Sequence, residues 1–116
     1  MKRSHVPVSV ISLLALLGAC SSEPLAVRSG GSQTLSVAIG QELDLKVQTV
    51  GPGEYQSPPS ISSPALRFLN VTLVGPYLPA GPTQLFRFKA DAAGRVIVIL
   101  LHSGNDPTIT DTVIIR

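Results

Sequence analysis

One cysteine, no tryptophan and five aromatic residues in 116 positions already exclude several kinds of protein. A single thiol closes no intrachain disulfide, so the fold has to rest on packing. Two tyrosines and three phenylalanines are too few to build stacking platforms for bases or sugars. Charge is also sparse. The formal net charge is +2, but Lys2 and Arg3 supply the excess: of 9 basic residues, 7 lie from position 20 onward, facing 7 acidic ones. That balance gives no electrostatic footprint for phosphate backbones, and no nucleic-acid partner is expected. Beyond position 20, no stretch of ten or more residues carries a 3.6-residue apolar period with caps, so no helix is expected there.

The N-terminus has a short basic start followed by an apolar run, Val8 to Gly18, interrupted only by serines. A membrane-spanning helix needs about 20 apolar residues. This run is shorter, as in a cleaved secretory signal. It ends in Leu17-Gly18-Ala19-Cys20, which resembles the lipobox of bacterial lipoproteins: a large residue, two small ones, then cysteine. The resemblance implies cleavage between Ala19 and Cys20, diacylglycerol on the Cys20 sulfur, and acylation, commonly with palmitate, of the new amino terminus. Each buried CH₂ is worth about 0.8 kcal/mol, so several acyl chains anchor stably. Ser21 in the next position implies sorting to the outer membrane. The expected organisation is a signal peptide over 1–19, a lipidated tether over 20–31 and a β domain over 32–116. Gly30-Gly31-Ser32 has neither a following helix nor a lysine and does not read as a phosphate loop.

The domain's pattern is clearest over 84–101. Phe86, Phe88 and Ala90 alternate with Arg87 and Lys89, the two-residue period of a half-buried strand. After a breaker at 91–94, residues 96–101 are apolar at every position, which reads as a central strand covered on both faces. These two strands are expected to form a hairpin. Earlier in the chain, Leu35, Val37 and Ile39 alternate, Gly40-Gln41 interrupts, and Leu43, Leu45 and Val47 alternate with Glu42, Asp44 and Lys46; this is either two strands or one bent at a bulge. Glu42 and Asp44 lack the further oxygen ligands of a cation site and read as a solvated face. Residues 66–73 make another strand whose apolar parity switches near Phe68, which either a bulge there or burial of both faces would reconcile. Residues 110–115 form a β-branched closing strand. The expected fold is an all-β, immunoglobulin-like two-sheet sandwich of six or seven strands.

Two proline-rich stretches, 51–60 and 75–82, read as loops. Tyr55 is expected either to plug the sandwich rim or to stand out as a contact residue. Four residues are candidate partner contacts: Tyr55, Tyr77, Gly81 and His102. The side-chain types of a hydrolase triad occur in His102, Ser103, Asp106 and Asp111. However, there is no Gly-x-Ser-x-Gly elbow, and triads are assembled from distant segments. His102 reads as a strand-end residue with one ring nitrogen in water. No catalytic residue, metal site or cofactor is expected, and the chain is not expected to be an enzyme.

From Leu35 to Ile115 the order of features resembles that of chagasin-like inhibitors of cysteine peptidases. Gly40-Gln41-Glu42-Leu43 matches their first strand turn, and Gly81 through Ala90 with Gly94 resembles their central hairpin. The family implies an immunoglobulin-like sandwich that uses three loops at one end. In those loops this chain departs from it. Gly51-Pro52-Gly53-Glu54-Tyr55 stands for Asn-Pro-Thr-Thr-Gly-Tyr, Ala80-Gly81-Pro82 stands for a Gly-x-Gly-Gly loop, and His102-Ser103-Gly104 lies where Arg-Pro-Trp would be. Only Tyr55 and Gly81 carry over. The primary expectation is a membrane-anchored envelope lipoprotein with a non-enzymatic binding domain and an envelope-protein partner. The alternative is a chagasin-like inhibitor with a peptidase partner.

Overall fold

A computed structural model describes residues 23–78 and 81–116, with side chains outside 75–82. Ala19, Cys20 and the leader lie outside the described residues. Eight strands and no helix are found among them: β1 (Leu25–Ser29), β2 (Gln33–Val37), β3 (Glu42–Gln48), β4 (Ser60–Ile61), β5 (Leu66–Leu78), β6 (Gly81–Ala90), β7 (Gly94–Leu100) and β8 (Ile109–Ile115). They form two four-stranded sheets, ordered β1-β3-β6-β5 and β2-β8-β7-β4. The architecture is an all-β sandwich consistent with the immunoglobulin-like class.

The alternation seen in the sequence becomes the interlayer core. Leu43, Leu45, Phe86 and Phe88 from one sheet meet Val96, Val98, Leu100 and Val113 from the other, all fully buried. Phe68 leans on both Phe86 and Phe88, with ring centroids 6.3 and 5.7 Å away. The outward residues of β3 and β6 pair by charge: Glu42 stands opposite Lys89 and Asp44 opposite Arg87. The Arg87 guanidinium lies 3.7 Å from Asp44 and 4.0 Å from Glu42. The parity switch in β5 is a register shift between Phe68 and Asn70, the bulge of the two alternatives open in the sequence.

Five expectations need correction. β6 and β7 are not a hairpin: β6 pairs with β3 and β5, whereas β7 pairs with β8 and β4. The short connection carries the chain across the interlayer, where Asp91 and Ala92 donate to the Ala65 carbonyl. Two apolar strands facing each other through the core give the same local pattern as two paired side by side. On β7 only one face is fully covered; Ile97 and Ile99 on the other are half-buried. Residues 25–29, expected as tether, are strand: Leu25, Val27 and Ser29 alternate with Ala26 and Arg28 as β1, parallel to β3. The sandwich therefore has eight strands, counting β1 and the two-residue β4. Finally, much of the second proline-rich stretch is strand, since β5 runs to Leu78 and pairs with Gly81 of β6.

β1 and β2 also divide between the sheets. β1 rises along β3, the chain turns at Gly30-Gly31, and β2 descends parallel to β8. Gly40, at φ 89°, makes the next turn. There Gln41 donates to Ala38, Gly40 donates to Ala90, and the Gln41 side chain reaches the Glu23 carbonyl at 3.1 Å. The start of β1, the Gly40 turn and the C-terminus thus share one end of the sandwich. The connections β3–β4, β5–β6 and β7–β8 share the other.

Candidate functional site

The loop end is organised by residues whose partners lie far away in sequence. Gln84 occupies an inward position on β6 and is 3% exposed. Its amide stands in for a strand: Tyr55 N–H donates to Gln84 Oε1 at 2.8 Å, and Gln84 Nε2 donates to the Tyr55 carbonyl at 2.9 Å. On its other side, residues 54–56 pair with the end of β7. Gln56 N–H donates to Leu101 and Ser103 N–H to Glu54, flanking a bridge between Tyr55 and His102.

The Tyr55 ring faces inward and is 4% exposed. It meets the His102 imidazole edge-on at 4.8 Å, and its hydroxyl donates to the Pro107 carbonyl at 2.8 Å. Burial, assisted by the charge on Asp106, pushes the phenol above its ordinary value. Of the two roles the sequence left open for Tyr55, the structure gives the plug.

The placement of His102 corrects the expectation of a water-facing nitrogen. Its side chain is 1% exposed. Nδ1 accepts from Gly104 N–H at 2.9 Å and from Asp106 N–H at 3.3 Å. A nitrogen that accepts carries no proton, so the neutral ring is protonated on Nε2. That atom lies 3.6 Å from Asp106 Oδ2 and has no closer partner. Asp106 in turn ties the two loops together, accepting from Val50 N–H at 2.6 Å and from Gly51 N–H at 2.9 Å. The Val50 bond chiefly, with Gly51, holds its carboxyl below the usual carboxylate range against the opposing effect of desolvation. The loops also approach closely through glycine. A Cβ on Gly104 would fall inside contact distance of the Pro52 carbonyl, and Gly53, at φ 112°, sits against Ser103 and Gly104.

The four triad-type residues are therefore brought near one end without forming a triad. Ser103 Oγ accepts from Glu54 N–H at 3.0 Å, and the carboxylate nearest His102 is occupied by backbone. Asp111 lies apart, fully buried, where Ser29 donates to it at 2.5 Å and joins the two sheets. Burial raises the Asp111 pKa, and hydrogen bonds from Ser29 and Gln33 oppose the rise. Among the described residues, no group of three or more His, Cys, Asp and Glu is placed to hold a metal.

Gly81 stands at the tip of the β5–β6 ribbon, beyond the last β3 pairing at Thr83, and the Tyr77 side chain lies outside the described residues. Two large apolar side chains that this end offers to solvent went unnoticed in the sequence. Val50 is 70% exposed and Leu101 is 50% exposed, one on each loop beside the Tyr55–His102 plug. Next to Val50 is a cavity of about 290 Å³ bordered by Arg28, Gln48, Asp106 and Pro107. The two loops, tied together through Asp106 and the Tyr55–His102 bridge, give this end its surface relief.

No family model matches the chain, and comparison with curated proteins gave no match. Solved structures do resemble it. The cysteine protease inhibitor EhICP2 from Entamoeba histolytica superposes with a TM-score of 0.62 at 16% identity, over 82% of this chain and 97% of its own. The solution structure of amebosin gives a TM-score of 0.52 at 11% identity, over 81% of this chain and 99% of its own. At these identities the likeness is one of fold, and at that level it agrees with the chagasin-like resemblance in the sequence.

Proposed function

We propose that this sandwich is a non-catalytic binding module, that its loop end engages a papain-type cysteine peptidase, and that a lipid on Cys20 holds it at the cell envelope, with the outer membrane as its destination. One observation carries the reading. The β3–β4, β5–β6 and β7–β8 connections converge on one end of a sandwich whose fold is shared with a protein described as a cysteine protease inhibitor. Asp106, Gln84 and the Tyr55–His102 pair fix two of those connections against each other, which limits the ordering entropy lost on binding. Val50 and Leu101 give the fixed loops apolar contact area. The geometry also suits an anchor, because β1 starts at the opposite end and a short lipidated segment before it would direct the loops away from the bilayer.

Titrating residues 23–116 against papain, with trypsin as control, tests the peptidase reading. Saturable inhibition of papain alone, weakened by Val50→Glu and Leu101→Glu, is the expected outcome. Absence of inhibition at micromolar concentration retires it. A second reading, an envelope protein as partner, is favoured by one observation: Pro52-Gly53-Glu54 and His102-Ser103-Gly104 do not reproduce the family's inhibitory motifs. Cross-linking in the native envelope reads that partner directly. Metabolic labelling with an alkyne-bearing fatty acid tests the anchor, since Cys20→Ser must abolish the label.

A further inference from the structure

The outer face of the β1-β3-β6-β5 sheet is charge-balanced over only half its length. Toward the β1 start, both acidic residues of β3 stand opposite cations of β6. Toward the loop end the pattern breaks. Lys46 has Leu85 opposite it on β6 and Arg28 opposite it on β1, so two cations face each other across adjacent strands. Both are exposed, and among the described residues no carboxylate lies within ion-pair distance of either. Like charges placed directly opposite in a sheet repel and destabilise the pair. Two depressions of about 130 and 50 Å³ adjoin the pair: one is bordered by Ala26, Val27 and Leu85, the other by Gln48 and Thr83, and neither contains an acidic residue.

We infer that Arg28 and Lys46 form a carboxylate-binding flank that receives acidic side chains of a polypeptide docked at the loop end. The guanidinium provides a planar fork for a carboxylate and the ammonium a second positive charge. Arg28 also borders the 290 Å³ cavity beside Val50 and Asp106, so the flank is continuous with the loop face. A lipid headgroup is the less suitable occupant: β1 begins at the far end of the sandwich, and Arg28 and Lys46 sit toward its loop end. Assigning the carboxylates to a protein partner rests on the binding-module reading; the site itself does not.

The flank can be tested without any peptidase, so its failure and that of the proposed function are distinguishable. Residues 23–116 contain all eight strands and the whole described core. Hexaglutamate titrated into this chain should shift the backbone amide resonances of Arg28, Lys46, Thr83 and Leu85. The shifts should vanish as salt rises from about 0.02 to 0.5 M, where the Debye length falls from roughly 21 to 4 Å. Lys46→Glu should abolish binding and raise the melting temperature by replacing repulsion across the strands with an ion pair. Shifts spread equally over Lys89, Arg95 and Arg116 would overturn the inference. So would stronger shifts at the same amides from phosphatidylglycerol vesicles, or a melting temperature lowered by Lys46→Glu.

Discussion

Replacing Gln84 with methionine tests whether one buried amide holds the loop end in place. The substitution nearly preserves volume and leaves an apolar side chain where Gln84 made two hydrogen bonds to the backbone of Tyr55, at 2.8 and 2.9 Å. Tyr55 then has a buried N–H and a buried carbonyl without partners. Each such group costs about 1–3 kcal/mol, so the loss is about 2–6 kcal/mol if the loop stays in place. In a domain of this size 1 kcal/mol moves the melting temperature by roughly 4–8 °C. A fall of at least about 8 °C is expected, measured by circular dichroism and by urea unfolding with an unchanged m-value. If the loop instead lifts off to solvate those groups, the global fall shrinks and the Tyr55 and Gln56 amides lose protection from hydrogen exchange. A variant with both wild-type melting and wild-type exchange at these amides refutes the reasoning.

Three further expectations rest on the same end of the molecule. Gly104→Ala should push the two loops apart at a cost of about 1–3 kcal/mol and weaken partner binding while the sandwich stays intact by circular dichroism; Gly31→Ala, with nothing near the added carbon, should be silent in both assays. Asp111→Asn should stabilise the domain at neutral pH. A carboxyl raised by burial contributes stability that is full below its unfolded value and is lost as pH rises through its folded one, so the variant should flatten the acid-to-neutral part of the stability profile. Asp106 has the opposite sign: held low mainly by the Val50 N–H, it contributes above its unfolded value and stops contributing as pH falls through its folded one. Protection from hydrogen exchange at Val50 and Gly51, relative to the intrinsic rate at each pH, should therefore fall in strong acid, and Asp106→Asn should lower it at neutral pH.

Much of the sandwich was legible because burial imposes a period of two. β3, β6 and β8 follow that period closely, and the β5 bulge is visible as a switch of parity at Phe68. Sheet membership was not legible. The connection at 91–94 is short enough for a hairpin, and only the pairing of β7 with β8 shows that the strands face each other instead. β1 was hidden by its small residues and by the glycines after it, which read as tether. At the site, Tyr55 and His102 were noticed, the plug being one of two roles open to Tyr55, whereas His102 read as a strand-end residue with one ring nitrogen in water. Their inward orientation depends on Gln84 and Asp106, separated from their partners by 29 and 55 or 56 residues. No local pattern reports bonds of that span.

The parallel pairing of β1 with β3 has a mechanical consequence. Tension applied between Glu23 and a partner gripping the far loops runs along the strand axes, across the inter-strand bonds instead of down their row. Every bond from Leu25 to Ser29 is then loaded at once in shear, and none can be peeled away singly. The first strand works as a lap joint, and the body should withstand a sustained pull along this axis far better than one applied sideways at its edge.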